Sequence, residues 1–298
     1  MAEVLISPGV LARENDQSQI TSQPVQAGAA IIGPAVKGRK NIPKLVTSYS
    51  EYLANFGSTF LSGSSQYTYF TSISAYNYFQ NGGTSLIVTR TTSASFSPAT
   101  SSFIASSSLS PIGAGISGNN GVFELEVLSD GEIMNSTGSG VSTGPNGTYT
   151  SGSSDNFRWE ISTPNTSSGV FSLIIRQGND TATAKQVVET FSNLSLDPLQ
   201  PNYISKVVGD QTTNVRGTGT GVYLQPSGSF RNASRYVRVK AVHSKTPNYF
   251  NNDGSAKDIF TGSIPSAQTG AFGGGLGSNV PTREGRYYAK VNNSDSQG

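Results

Sequence analysis

The stretches 28-GAAIIGPAVKGRKNIPKLVTSYSEYLANFG-57 and 67-YTYFTSISAYNYFQNGGTSLIVTR-90 decide the fold. In the first, AAIIG reads as a buried strand ended by Gly33-Pro34. PKLV is a second strand, and a Ser48 or Ser50 cap opens a short helix that stops at Gly57. In the second, Tyr69, Phe70, Ile73, Tyr76 and Phe79 or Gln80 follow helical spacing, which makes them a core stripe rather than a stacking surface for sugars or bases, and Gly82-Gly83 end the helix. SLIVTR follows as a buried strand. Two strands, two helices and a closing strand in some sixty residues predict an α/β unit with a crossover connection.

Outward from this unit the chain becomes β-rich. Ser93 to Ser117 is dominated by Ser, Thr, Ala and Pro and reads as loop. GVFELEVLS at 121–129 alternates, with Phe123, Leu125 and Val127 on one face and Glu124 and Glu126 on the other. Asn135 to Ser154 is nearly pure Gly, Ser, Thr and Asn, a surface insertion or hairpin tip. FRWEIS at 157–162 and VFSLIIRQG at 170–178 are strands. A helix is predicted from Thr181 to Leu194, capped by Asn179 or Asp180 and stitched by Val187, Val188, Phe191 and Leu194, and a shorter one at NYISKVVG ends on Gly209. RYVRVKAV at 235–242 is a half-buried strand with Val237, Val239 and Ala241 inward. A domain boundary is placed near Val215 to Gly221.

Composition narrows the function classes. The 298 residues are 35% hydrophobic and only 13% charged, with 34 Gly and 14 Pro, which fits a turn-rich β protein and excludes coiled coils and charge-rich disorder. A net charge of +2 with no basic stripe argues against a nucleic-acid partner. With no cysteine, disulfides, thiolate metal sites and cysteine nucleophiles are excluded. With His243 alone, an intrachain two-histidine metal site is excluded too. The start MAEVLISPGVLARENDQ lacks a signal-peptide pattern, and no apolar run spans a membrane. Six Asn-x-Ser/Thr triplets, at Asn135, Asn146, Asn165, Asn179, Asn193 and Asn232, follow from composition. At the far end RYYAKV reads as a strand with little after it, and the expectation is a chain that continues in nature.

No catalytic constellation emerges, and no cofactor is expected. Gly33 and Gly38 have phosphate-loop spacing, but Arg39-Lys40 replaces the required Lys-Ser/Thr and Pro34 removes a donor, so a strand end and turn is the better reading. GTGTG at 217–221 is a linker rather than a dinucleotide fingerprint. Glu124 and Glu126 share a strand face and could in principle serve glycoside hydrolysis, yet the spacing is that of a solvated strand face. His243 has no Ser or acidic partner in a motif and reads as a surface or interface histidine. The N-terminal arm is different. Val4, Leu5, Ile6, Ser7, Pro8, Gly9 and Val10 have strand character but are separated from the compact chain by a polar linker at 12–23, so their backbone groups need a sheet edge elsewhere.

Taken together, SPGVLARE at 7–14, the Gly-Pro turn followed by Val-x-Ser-x-x-Glu and Phe-Gly in 28–57, AYNYFQNGGTSLIVTR at 75–90, and ETFSNLSLDPLQPNYISKVVGD at 189–210 make the chain resemble contractile tail sheath proteins of myophages. GSFRNASRYVRV at 228–239 is a weaker echo, and the family's C-terminal domain has no counterpart. The expected architecture is α+β and β-rich, in three parts. These are an arm and linker at 1–23, an α/β sheath domain at 24–215 with a polar β-rich insertion around 93–165, and a second, incomplete β-rich domain at 216–298. The resemblance implies a non-enzymatic virion subunit in the phage tail, assembled in the host cytoplasm. Copies would form hexameric rings stacked helically around a tail tube protein, bounded by baseplate and tail terminator proteins, without membrane insertion. It implies that residues Val4 to Val10 pair with sheet edges of neighbouring copies while Glu14, Asn15 and Asp16 lie in the hinge. Two other readings stay open: a sheath from a related bacterial contractile injection system, and a β-rich glycan-binding module.

Overall fold

The computed structural model describes residues 28–62, 65–92, 98–103, 121–130, 157–272 and 288–291. The chain is α+β and β-rich, with two large hydrophobic cores and a small cluster of Val36 and Tyr69 among the described residues. The arm and its hinge, and the insertion at 135–154, lie outside the described residues.

The first core belongs to the α/β unit. β1 (Ala29–Gly33), β2 (Pro43–Val46) and β5 (Leu86–Arg90) form a three-stranded sheet in the order β1-β5-β2. β1 and β5 are parallel, as the crossover prediction requires, and β2 runs antiparallel to β5. α1 (Tyr49–Phe56) starts where the Ser48 hydroxyl accepts the Glu51 N–H at 3.2 Å and ends at Gly57, φ 69°. α2 (Phe70–Gln80) lies beside it, and Tyr52, Phe56, Ala75, Leu86 and Val88 fill the space between helices and sheet. A hairpin the periodicity missed, β3 (Thr59–Ser62) and β4 (Ser65–Tyr69), precedes α2, and β15 (Tyr288–Val291) pairs with β4.

The second core is a sandwich. One sheet is β6 (Pro98–Phe103), β7 (Phe123–Asp130) and β13 (Val237–Val242), with β7 central. The other is β8 (Phe157–Asn165), β9 (Val170–Gln177), β10 (Val187–Ser195) and β14 (Gln268–Ala271), in the order β10-β9-β8-β14. Phe123, Leu125 and Val127 face Phe157, Trp159 and Ile161 across the gap, each nearly or fully buried. Trp159 donates its indole N–H to the Ser101 hydroxyl at 2.7 Å, and its ring packs 4.1 Å from Phe103. Burying each Phe of this cluster contributes about 1.5–3 kcal/mol. α3 (Ile204–Val208) closes one side and stops at Gly209, φ 102°, where an added Cβ would collide with the Asn232 backbone. β13 and β14 lie beyond residue 221 and complete sheets begun by β7 and β8. β11 (Thr212–Arg216) and β12 (Tyr223–Ser227) form a separate hairpin whose tip is a 3-10 turn at Gly219–Gly221. α4 (Asp258–Thr261) is a single turn before β14.

Three sequence expectations are corrected. The predicted helix from Thr181 to Leu194 is instead a turn and the strand β10. The Asp180 carboxylate does not cap a helix. It accepts the Arg176 Nε–H at 2.6 Å and the Gln186 N–H at 3.0 Å, and Ala184 N–H reaches the Thr181 hydroxyl at 3.0 Å, which reverses the chain onto β9. A bulge between Phe191 and Leu194 inserts one residue, so their three-residue spacing imitates a helix. The Ser93–Ser117 loop contains β6, whose inward residues Ala99, Ser101 and Phe103 alternate correctly, but only one of them is large. β1 is an edge strand rather than a buried one: Ile32 is 73% exposed.

A buried ionic cluster ties β8 to the β9–β10 turn. Arg158 and Arg176, both almost fully buried, approach the Asp180 carboxylate at 3.2 and 2.6 Å, and Arg176 also binds Glu160 at 2.6 Å. Lys185 adds a second contact to Glu160 at 2.7 Å. Desolvation pushes the Glu160 carboxyl up, but the hydrogen bonds and charges of Lys185 and Arg176 outweigh it and hold the pKa below 4.5. A carboxylate depressed in the folded state contributes stability above its unfolded pKa and loses it as pH falls through the folded value. Glu160→Gln is therefore expected to cost about 1–2 kcal/mol at neutral pH, and progressively less as pH falls below the ordinary carboxylate range. Urea midpoints of both proteins across that range check this, and a gap that stays constant with pH contradicts it.

Candidate functional site

Exposed apolar residues lie on the α/β unit, on the β11–β12 hairpin and at Leu199 and Ile259, and those of the α/β unit share two continuous faces. α2 has two faces. Thr71, Ser72 and Ala75 are buried, and being small they let the helix lie close to the sheet; Gly33 of β1 sits against the Thr71 hydroxyl. Phe70, Ile73 and Tyr76 point away and are 43%, 37% and 44% exposed. This overturns the expectation that they form the core. Helical spacing identified a stripe correctly, but small residues took the inner face because the sheet approaches closely there. Tyr76 packs edge-on against Tyr49 of α1 at 5.1 Å, so the aromatic surface continues onto the neighbouring helix. On the far side of the same sheet, Ile32, Ala30 and Pro43 are exposed, and Leu45 and Ile87 half-buried. Strands apolar on both faces belong to sheets covered on both faces. Among the described residues only the helix side is covered.

The two cores meet at Arg90, the last residue of β5. Its guanidinium, 1% exposed, donates from Nε to the Ala35 carbonyl at 3.1 Å and from Nη1 to the Gly38 and Asp130 carbonyls at 2.6 and 2.7 Å. Burial pulls its pKa down to about 10, with the Asp130 charge acting against that, so it remains cationic at neutral pH. The Asp130 carboxylate accepts the Lys40 N–H at 3.0 Å and lies 3.7 Å from Arg39, and its own N–H reaches Gly38. The segment with phosphate-loop spacing thus turns carbonyls, not amides, toward its centre, and a cation already occupies it. This agrees with the strand-end reading of Gly33 and Gly38.

The carboxylate pair is placed differently from expectation. Glu124 and Glu126 are 5% and 7% exposed rather than solvated, because β7 is central in its sheet and β13 lays cations over both. Glu126 binds Arg238, its register partner, at 2.8 Å, and Arg238 also donates to the Asp210 carbonyl. Glu124 binds Lys240 at 3.1 Å and the His243 ring at 3.3 Å. His243 is an exposed residue, as the surface reading has it, with an acidic neighbour hidden from sequence because the two lie 119 positions apart. Both carboxylates serve as ion-pair acceptors, which leaves neither placed to donate a proton across a glycosidic bond.

Among the described residues there is no cluster of His, Asp and Glu able to hold a metal ion, and no helix long and apolar enough to cross a membrane. The arm residues Val4 to Val10 and hinge residues Glu14, Asn15 and Asp16 are outside the described chain. The exposed face of α2 and the outer face of its sheet are the functional candidates that sequence reasoning missed. The available signal was the double-sided apolarity of AAIIG and LIVTR.

No protein-family model matches the chain, and no curated protein matches its sequence. Among solved structures, the crystal structure of the sheath tail protein from Desulfitobacterium hafniense aligns at a TM-score of 0.29 with 8% identity, over 78% of this chain. The aligned part is 38% of that protein, so this chain spans well under two thirds of its length.

Proposed function

We propose that the chain is a structural subunit of a contractile phage tail sheath, working by assembly rather than catalysis. Copies stack as hexameric rings around a tail tube, between baseplate and terminator proteins, and contract to drive the tube through the host envelope. One observation carries this reading. Ile32, Phe70, Ile73 and Tyr76, apolar and exposed, lie in and between the two N-terminal segments whose motifs resemble the sheath family. An isolated soluble domain rarely leaves a helix stripe and a sheet face of this kind in water, whereas a subunit covers them on assembly. The arm at Val4 to Val10 then supplies main-chain pairing between copies.

Electron microscopy of the full chain, beside a version lacking residues 1–23 and the triple variant Phe70→Ser/Ile73→Ser/Tyr76→Ser, tests the proposal. Tubes or stacked rings are expected from the full chain and from neither variant. Because the three side chains lie at the surface of α2, the triple variant is expected to keep the monomer fold while losing the edge-on contact of Tyr76 with Tyr49, worth about 0.5–1.5 kcal/mol. Single particles from the intact chain overturn the assembly reading in favour of a monomeric binding module. Tubes that survive the serine substitutions remove α2 from the contact surface.

A further inference from the structure

A cleft of about 210 Å³ separates the two cores, and cations from two distant parts of the chain line it. Lys37 and Arg39 come from the loop after β1, Lys44 from β2, and Arg235 from the turn before β13. Thr213 and Asn232 add polar groups to one wall, and Phe157 forms an apolar one.

The nearby acids are largely committed to other groups. Asp130 is the one carboxylate near Arg39, at 3.7 Å, and it also serves the Lys40 N–H. Glu189 is committed to the Ser234 hydroxyl and the Arg235 backbone N–H, and Glu51 to Thr47. The Lys37 ammonium lies 5.6 Å over the Phe157 ring. Among the described residues neither Lys44 nor Arg235 forms an ion pair by its side chain. Partial desolvation lowers the Lys44 pKa; Glu51 pulls it up, and Arg235 lowers it further, so the two cations feel each other across the cleft. Gathering like charges at a boundary between cores costs free energy that an anion would recover.

We propose that this cleft binds a small oxyanion, phosphate or carboxylate, held between Lys44 and Arg235 at its mouth with Lys37 and Arg39 further in. The volume is enough for a tetrahedral oxyanion or a short dicarboxylate. The amphipathic lining suits such a group: the Thr213 hydroxyl adds a hydrogen-bonding group beside the cations, and Phe157 supplies an apolar wall. Because residues of both cores line the cleft, the bound anion would clasp them together. The inference stands apart from the assembly reading.

Calorimetric titration of the full chain with inorganic phosphate, and separately with succinate, at constant ionic strength set by chloride, tests it. Saturable one-site binding of at least one anion is expected, and the tighter of the two identifies the source. The double variant Lys44→Ala/Arg235→Ala is expected to weaken it by about tenfold or more. Lys245→Ala, which removes an exposed charge elsewhere, is expected to leave it unchanged. Absence of saturation with both anions, undiminished binding in the double variant, or equal loss in Lys245→Ala overturns the proposal. If the double variant melts early, Arg235→Gln alone replaces it, and undiminished binding there is equally fatal.

Discussion

Arg90→Ala is expected to split thermal unfolding into two transitions and to lower stability by about 3–5 kcal/mol. The guanidinium gathers three carbonyls, two from the loop after β1 and one from the end of β7, in a site closed to water. Each buried acceptor left without its donor costs about 1–3 kcal/mol, and the vacated volume adds a cavity term. The effect is not spread evenly, because Arg90 is the most deeply buried of the side chains that join the small α/β core to the sandwich. Without it the two cores keep their own packing but lose much of their coupling, so the α/β unit is expected to melt first. Trp159, the one tryptophan, sits inside the sandwich and reports that core alone. Far-ultraviolet circular dichroism that falls before Trp159 fluorescence changes is the expected signature. A single transition at the wild-type midpoint contradicts this account, and Arg90→Lys should recover part of the loss.

The second large effect is expected at Asp180. Asp180→Asn keeps the shape but removes the charge that faces Arg158 and Arg176, leaving Glu160 as the only carboxylate of the cluster. Breaking one side of a buried ion pair costs about 3–5 kcal/mol, chiefly because the opposite charge stays buried and unmatched. In a domain of this size each kcal/mol shifts the midpoint by roughly 2–4 °C, so a fall near 10 °C is expected. The cause separates by a second substitution. If the cost is an unmatched cation, adding Arg158→Met to Asp180→Asn restores stability above the single variant. If the double variant is worse still, Asp180 acts through the turn that it holds with Gln186 instead.

The α/β unit was legible because its signals are local. Ser48 and Gly57 bracket α1, paired glycines end α2, and apolar runs mark β1 and β5. Alternation likewise located β7, β8, β9 and β13. The failures share a different cause. β10 was hidden by a bulge that turned strand spacing into helix spacing, and β6 by inward residues too small to register as apolar. The helix stripe Phe70-Ile73-Tyr76 was found and assigned to the wrong side, since period alone does not say which face the sheet will approach. Glu124 and Glu126 were misjudged for want of long-range pairing: Arg238 and Lys240 reach them only through register across the sheet. The junction at Arg90 was invisible, because its partners are backbone carbonyls, which no side-chain motif announces.

The β11–β12 hairpin offers a practical handle. Every residue of β12 is exposed, and at Gly219 and Gly221 of the tip an added side chain would meet nothing within 4 Å. A short epitope or a cysteine for fluorophore coupling, inserted at 219–221, would sit clear of both cores, and since the chain has no native cysteine the label would attach at one place. If the proposed assembly forms, mixing donor-labelled with acceptor-labelled chains would turn the hairpin into a gauge of the distance between copies. Energy transfer between hairpins would then follow any change of spacing in real time, in a chain that otherwise offers thiol chemistry no purchase.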